Sequence, residues 1–272
     1  HLAAFKGSVD CLDLLLSSGA NFRLTDNDNR LALHYAASQG HYLCVFTLIL
    51  SLLLPLFPNT NIKEDTGKTP LHLASCKGHR QCVELLLRHG AYFLARGRTP
   101  VHCAAATGYI VCLILLLENT EDPSVVDCYD AKQRTALTLA VANSNTECVI
   151  SLLKYKADCN LPDVNKHTPL FRAVFSEHDQ QLVKLLLSHG AQVAVQDTNG
   201  KTPLHLAAAC GRFVLSLRLK DKFTVVKSHG TLLVPLTSTR LNILVTLIKH
   251  QLEVFHKYCI YLNYVLISFI QF

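Results

Sequence analysis

Fourteen histidines, eleven cysteines and two Gly-Lys-Thr triplets are the residues of this 272-residue chain that could do chemistry. Such residues suggest metal ligation, proton transfer, a thiol nucleophile or a phosphate loop. Their spacing argues against all four. His1, His34, His72, His102 and His205 each occupy one slot of a recurring segment, where a structural hydrogen bond is the expected role. His41 and His79 follow a turn glycine at what reads as a solvent-facing helix start. His89 and His189 precede a helix-stop glycine, where a cation suits the helix dipole. Gly67-Lys68-Thr69 and Gly200-Lys201-Thr202 lack the earlier glycine of a phosphate loop, since Ile62 and Val195 hold that place. Cys11, Cys44, Cys82, Cys112 and Cys148 all stand just before the Val or Leu that opens an apolar run. Equivalent positions in stacked units lie beyond disulfide reach, so these five are expected to be small buried hydrophobes in a reducing, intracellular setting. No Cys-x-x-Cys pair, Gly-x-Ser-x-Gly elbow or His-Glu-x-x-His helix is present, so no cofactor, metal or catalytic residue is expected.

The elements that carry these residues repeat. Thr69-Pro70-Leu71-His72-Leu73-Ala74 returns as Thr202-Pro203-Leu204-His205-Leu206-Ala207, and degraded copies lie around and between the two. Thr suits a helix N-cap and Pro the first helical position, where its missing N–H costs nothing. The histidine slot falls at His1, His34, His72, His102, Thr138, Phe171 and His205, with spacings of 33, 38, 30, 36, 33 and 34. After each motif come small residues, a turn and a second apolar helix. Cys82-Val83-Glu84-Leu85-Leu86-Leu87-Arg88-His89-Gly90-Ala91 is one such helix with its glycine stop.

A period near 33 with this hexapeptide resembles the ankyrin-repeat family over residues 1–212. The resemblance implies an all-α solenoid of about seven helix-turn-helix units with projecting hairpin loops, stabilised by contacts between neighbours. Residues 213–272 carry no further copy. They hold seven basic and two acidic residues, a net of +5, which leaves the repeats at +1 of the total +6. A near-neutral array does not point to nucleic acid. The uncharged run from Tyr258 to Phe272 is shorter than the ~20 residues of a membrane-spanning helix. A membrane is therefore not expected as a partner, and the tail reads as a non-native extension, an improvised cap or an anchor. Because the chain opens at His1 inside a motif, it is expected to be a piece of a longer array.

Individual units depart from the pattern. Leu31-Ala32 replaces the capping pair of unit two, whose second helix runs into an apolar insertion around Pro55 and Pro58. Tyr92 to Gly97 shortens the hairpin of unit four, and Glu118 to Val126 lengthens the entry to unit five. Thr138 and Phe171 replace the histidine of units five and six, which should weaken the grip there.

In this family partners are held by variable residues on the loop tips and the concave face. Carried over by position, the resemblance points to Asn27, Asp28, Asn29 and Arg30, to Asp65 and Lys68, to Lys132 and Gln133, to Asn165 and Lys166, and to Thr198, Asn199 and Lys201. Within the family, the chain is most similar to the regulatory ankyrin repeat subunits of serine/threonine-protein phosphatase 6. The residues that carry this are Lys77 to Leu87, the connection from Leu117 to Asp127, Asp130-Ala131-Lys132 and Leu139 to Ala142. The expectation is a non-catalytic scaffold, cytoplasmic or also nuclear, that recruits a serine/threonine phosphatase complex or its substrates. The alternatives are an adaptor for another protein, or the cytosolic part of a larger membrane protein or enzyme.

Overall fold

The computed structural model describes residues 1–53, 60–92, 97–120, 122–175 and 180–210, with the side chains of 52 and 53 excepted. The insertion around Pro55, the centre of the short hairpin at 93–96 and the tail 213–272 lie outside these residues. Among the described residues every regular element is helical. The chain divides into two units, residues 1–164 and 165–272.

In the first unit the helices alternate between two rows. The inner row is α1 (Leu2–Lys6), α3 (Ala32–Gln39), α5 (Pro70–Lys77), α7 (Pro100–Thr107) and α9 (Ala136–Ala142). The outer row is α2 (Val9–Ser17), α4 (Tyr42–Leu53), α6 (Arg80–Arg88), α8 (Ile110–Glu118) and α10 (Thr146–Lys154). Each inner helix packs on the next inner helix and on its own outer partner, and each outer helix packs on the next. The second unit repeats the pattern with α11 (Pro169–Phe175), α12 (Gln180–Ser188) and α13 (Pro203–Ala209).

Residue size sets these contacts. Inner helices meet through Ala36-Ala37, Ala74-Ser75, Ala104-Ala105 and Ala140-Val141, all fully buried, because small side chains let neighbouring backbones approach closely. Outer helices contribute one leucine column, Leu48, Leu86, Leu116 and Leu152, none more than 2% exposed. Each such side chain stabilises its unit by roughly 2 kcal/mol. Cys44, Cys82, Cys112 and Cys148 are buried beside it, as expected. Cys11 is exposed, contrary to expectation, because its helix α2 has only α4 as an outer-row neighbour.

The caps follow the sequence with one revision. The hydroxyls of Thr99, Thr135 and Thr202 accept the N–H of the residue three places on, at 3.4, 3.2 and 3.4 Å. Thr69, like Thr99 and Thr202, places its hydroxyl against the Nδ1 of its motif histidine, at 2.8, 2.9 and 2.8 Å. Leu31, expected only to lose a cap, is 2% exposed, and its N–H donates to His34 Nδ1 at 3.1 Å. The position has exchanged a hydroxyl for apolar burial.

The turn that joins the two helices of a unit also differs from expectation. Gly7, Gly40, Gly78 and Gly108 end inner helices with φ between +75° and +84°, the left-handed cap that glycine takes without strain. A Cβ on Gly40 would lie 2.4 Å from His79 Nδ1, and one on Gly7 2.4 Å from His41 Nδ1. Tyr109 and Asn145 crowd Gly78 and Gly108 in the same way. His41 and His79 are thus half-buried against the preceding unit rather than turned to solvent. His41 Nε2 donates to the Phe5 carbonyl at 3.0 Å and His79 Nε2 to the Ser38 carbonyl at 3.1 Å. Asn145 Nδ2 reaches the carbonyls of Ala105 and Ala106 at 2.8 and 3.0 Å.

Candidate partner-binding surface

The loop tips are built from an acid eight residues before the histidine slot. Asp26, Glu64, Asp130, Asp163 and Asp197 hold this place. Asp130 Oδ1 accepts the N–H of Lys132 and of Arg134 at 2.8 and 2.9 Å, closing the turn. Its Oδ2 takes both Nε and Nη2 of Arg134, at 2.9 and 2.7 Å. Asp26 binds the N–H of Asp28 and Arg30 in the same way, and Asp197 those of Asn199 and Lys201. The chain then reverses through left-handed residues at Asn29, Gln133 and Lys166, or through Gly67 and Gly200.

Charge settles these anchors. Burial pushes the carboxyl of Asp130 up, yet the Arg134 guanidinium and two backbone N–H groups outweigh it and leave the pKa below the usual carboxylate range. Glu64 behaves alike: burial raises it, while the Thr66 hydroxyl and the Arg30 Nε at 2.6 Å bring it down. The Tyr35 hydroxyl lowers Asp26.

Beneath the tips the motif histidines join neighbouring units. His72 Nδ1 accepts the N–H of Thr69 at 3.2 Å, so the ring is neutral with its proton on Nε2, which donates to the Arg98 carbonyl at 2.9 Å. His34 and His102 repeat this with the carbonyls of Ile62 and Arg134, both at 3.0 Å, and His1 reaches the Arg30 carbonyl. Burial drives His72 down to about 4 and lowers His34 and His102. The Thr138 hydroxyl pairs within its own cap, with Thr135, and Phe171 stacks on His167 with ring centroids 5.2 Å apart.

The structure places the thirteen tip residues in three groups. In the first, Asp65 N–H donates to the Asp28 carbonyl at 3.0 Å and Asn29 Nδ2 to the Asp65 carboxylate, so Asn27, Asp28, Asn29 and Asp65 form one exposed row. Arg30 and Lys68 are half-buried beside it, turned toward Glu64. Lys132 and Gln133 stand on their own exposed turn. In the second unit, Thr198 N–H donates to the Asn165 carbonyl at 3.3 Å, bringing Asn165, Lys166, Thr198, Asn199 and Lys201 together. Asn199 and Lys201 also line a cavity of about 340 Å³ with His167, Phe171, Arg172, Phe175, Asp197 and Leu206. Sequence reasoning named His41 and His79 after their turn glycines but turned them to solvent, and it gave the acid anchors no role. The anchors carried a signal, their constant offset of eight from the histidine slot. Among the described residues no cluster of three or more His, Cys, Asp or Glu could hold a metal ion, and no helix is long and apolar enough to cross a membrane.

Family models for ankyrin repeats match residues 1–49, 49–127, 122–197 and 164–228. The chain belongs to the ankyrin-repeat family. Inversin from dog is 31% identical over 202 residues, 74% of this chain, and the human and mouse proteins match equally. The chain spans 12% of the length of those relatives. Ankyrin repeat-containing protein kinase A of Dictyostelium discoideum is 34% identical over 88 residues, 30% of this chain and 6% of that protein. Among solved structures, the human ASB11 ankyrin repeat domain superposes with a TM-score of 0.67 at 26% identity, covering 90% of this chain and 96% of that one. Ankyrin-repeat domains are in general non-catalytic modules that bind other proteins, and this chain shares their fold.

Proposed function

We propose that the loop-tip rows are the surface on which this ankyrin array holds its protein partner, and that the partner is a serine/threonine phosphatase complex or a substrate brought to it. The observation that carries the docking role is the division of labour within each tip. The anchor acids take the turn's own hydrogen bonds, which leaves Asn27, Asp28, Asn29, Lys132, Gln133, Asn165, Lys166, Thr198, Asn199 and Lys201 exposed on a pre-shaped backbone. Preordered loops bind with less entropy lost on association. The phosphatase identity rests on the sequence resemblance through Lys77 to Leu87 and Leu117 to Asp127. The buried thiols of Cys44, Cys82, Cys112 and Cys148 suit a reducing compartment, cytoplasmic or also nuclear.

Affinity capture from cell extract with the full chain tests both levels. Recovery of a phosphatase catalytic subunit, lost on replacing Thr198, Asn199 and Lys201 by Ala, supports the whole reading. Recovery of unrelated proteins with the same sensitivity keeps the docking surface and removes the phosphatase. Binding that ignores all three tip groups removes the surface itself.

A further inference from the structure

The outer row presents a surface that the tip rows do not explain. Three positions of each first-unit outer helix, at one before, two after and six after its cysteine, share one face. In α2 they hold Asp10, Asp13 and Ser17, and in α6 Gln81, Glu84 and Arg88. Those are solvated residues, as a surface helix requires. In α4 the same three positions hold Leu43, Phe46 and Leu50, which are 58%, 37% and 44% exposed. Tyr42 adds a ring stacked on Phe46, with centroids 6.5 Å apart and planes within 14°. In these three positions an apolar stripe one helix long lies between two polar rows, and α2 also exposes Leu14 and Leu15 beside its own row, at 69% and 49%.

Its flanks differ in sign. On α2 the row carries Asp10 and Asp13, a net of −2, both exposed. On α6 the row is neutral, Glu84 being paired with Arg88 at 2.6 Å, and the exposed Arg80 next to the row brings the helix to a net of +1. Only one two-fold arrangement of two such faces matches charge to charge. With the axis lying in the contact plane along α4, the stripe meets its own copy, Phe46 against Phe46, while α2 of each chain lies over α6 of the other. An axis across α4 would set α2 on α2 and stack four carboxylates.

We propose that the α4 face is a self-association surface, on which a second copy of this chain docks through Leu43, Phe46 and Leu50 about a two-fold axis along α4. An isologous contact of this kind uses one patch twice and closes on itself. Its extent, one apolar stripe and two charged edges, fits a weak dimer rather than an obligate one. The proposal is independent of the tip rows, none of whose thirteen residues lies on α4.

Sedimentation velocity of the full chain from low to high micromolar concentration reads it. A dimer should appear with concentration and weaken with salt. The variant Leu43→Gln/Phe46→Glu/Leu50→Arg gives α4 the residues α6 already carries in those positions, so it should keep its helical circular dichroism. Its association should be weaker by at least about tenfold. Asp10→Lys/Asp13→Lys should also weaken the dimer, and adding Arg80→Glu/Arg88→Glu should restore it. A chain that stays monomeric throughout, a dimer indifferent to the α4 variant, or a charge swap that fails to restore association overturns the proposal. So does a monomer whose α4 stripe is protected from solvent only when an amphipathic peptide is added.

Discussion

His79 lies across Gly40. Its ring occupies the space a side chain at residue 40 would need, and its Nε2 donates to the Ser38 carbonyl at 3.1 Å. Gly40 therefore answers two demands, a φ of +78° and a close approach by the next unit. Gly67, with φ +80° and open space around it, answers only the first. Gly67→Ala should cost about 1 kcal/mol for the left-handed conformation. Gly40→Ala should cost roughly 3 kcal/mol, because the Cβ also displaces the His79 ring and its hydrogen bond. Urea unfolding of the two variants checks the difference, and equal losses would show that the histidine yields freely.

Acid should loosen the array before the carboxylates are protonated. His72 has a folded pKa of about 4 against roughly 6.5 unfolded. Between those values the unfolded chain binds a proton that the folded chain refuses, so stability is complete above pH 6.5 and falls as pH drops toward 4. His72 alone contributes at most about 1.4 kcal/mol per pH unit over that window. His34 and His102, lowered by burial, act in the same direction. Glu64 and Asp130, whose folded values are depressed, add a further loss below about pH 4. Melting temperatures from pH 7 to pH 4 should show the decline, and His72→Gln should make it shallower.

The helix starts predict opposite results at two equivalent positions. Thr99→Ala removes a hydroxyl that accepts the His102 N–H, and should cost about 1 kcal/mol. Leu31→Thr supplies that hydroxyl, but removes apolar burial worth roughly 2 kcal/mol from a side chain 2% exposed. It should therefore lose about 1 kcal/mol rather than gain. Thermal melts of both variants decide, and a rise for Leu31→Thr would mean the pocket is indifferent to the leucine.

Thiol reactivity should divide by burial and neighbour. Burial raises Cys82, Cys112 and Cys148 to about 11, so they should resist alkylation until the chain unfolds. The half-buried Cys76 thiol is lowered to about 7 by the neighbouring Cys103 thiol and by the Arg98 charge, below the ordinary thiol range. Limited treatment with iodoacetamide should label Cys76 first, with the exposed Cys11 and Cys210 following. Mass spectrometry reads the order, and labelling of Cys112 before Cys76 would contradict it.

The repeat grammar was legible because it is written in residue types with few other uses. Pro70, Pro100, Pro169 and Pro203 each begin a helix, and the leucine column from Leu48 to Leu152 follows from the spacing alone. What escaped were residues whose role depends on the neighbouring unit. His41 and His79 follow a glycine, as any exposed helix start might, and their targets lie 36 and 41 residues earlier. Leu31 read as a defect because a capping rule is local, whereas its compensation is burial supplied by other units. Cys11 shares its position with four buried cysteines, yet burial there also requires a neighbouring helix on its other side. The tip residues follow from resemblance alone, and the acids that shape their turns cannot be told by type from any solvated loop acid.

The carbonyl-directed bonds of His34, His41, His72, His79, His102 and Asn145 each cross a single boundary between units. Tension applied to the ends of residues 1–164 would then meet a row of separate clasps instead of one shared lock. The segment should pay out like a chain of links, each parting on its own and freeing about 33 residues, or on the order of 100 Å of contour.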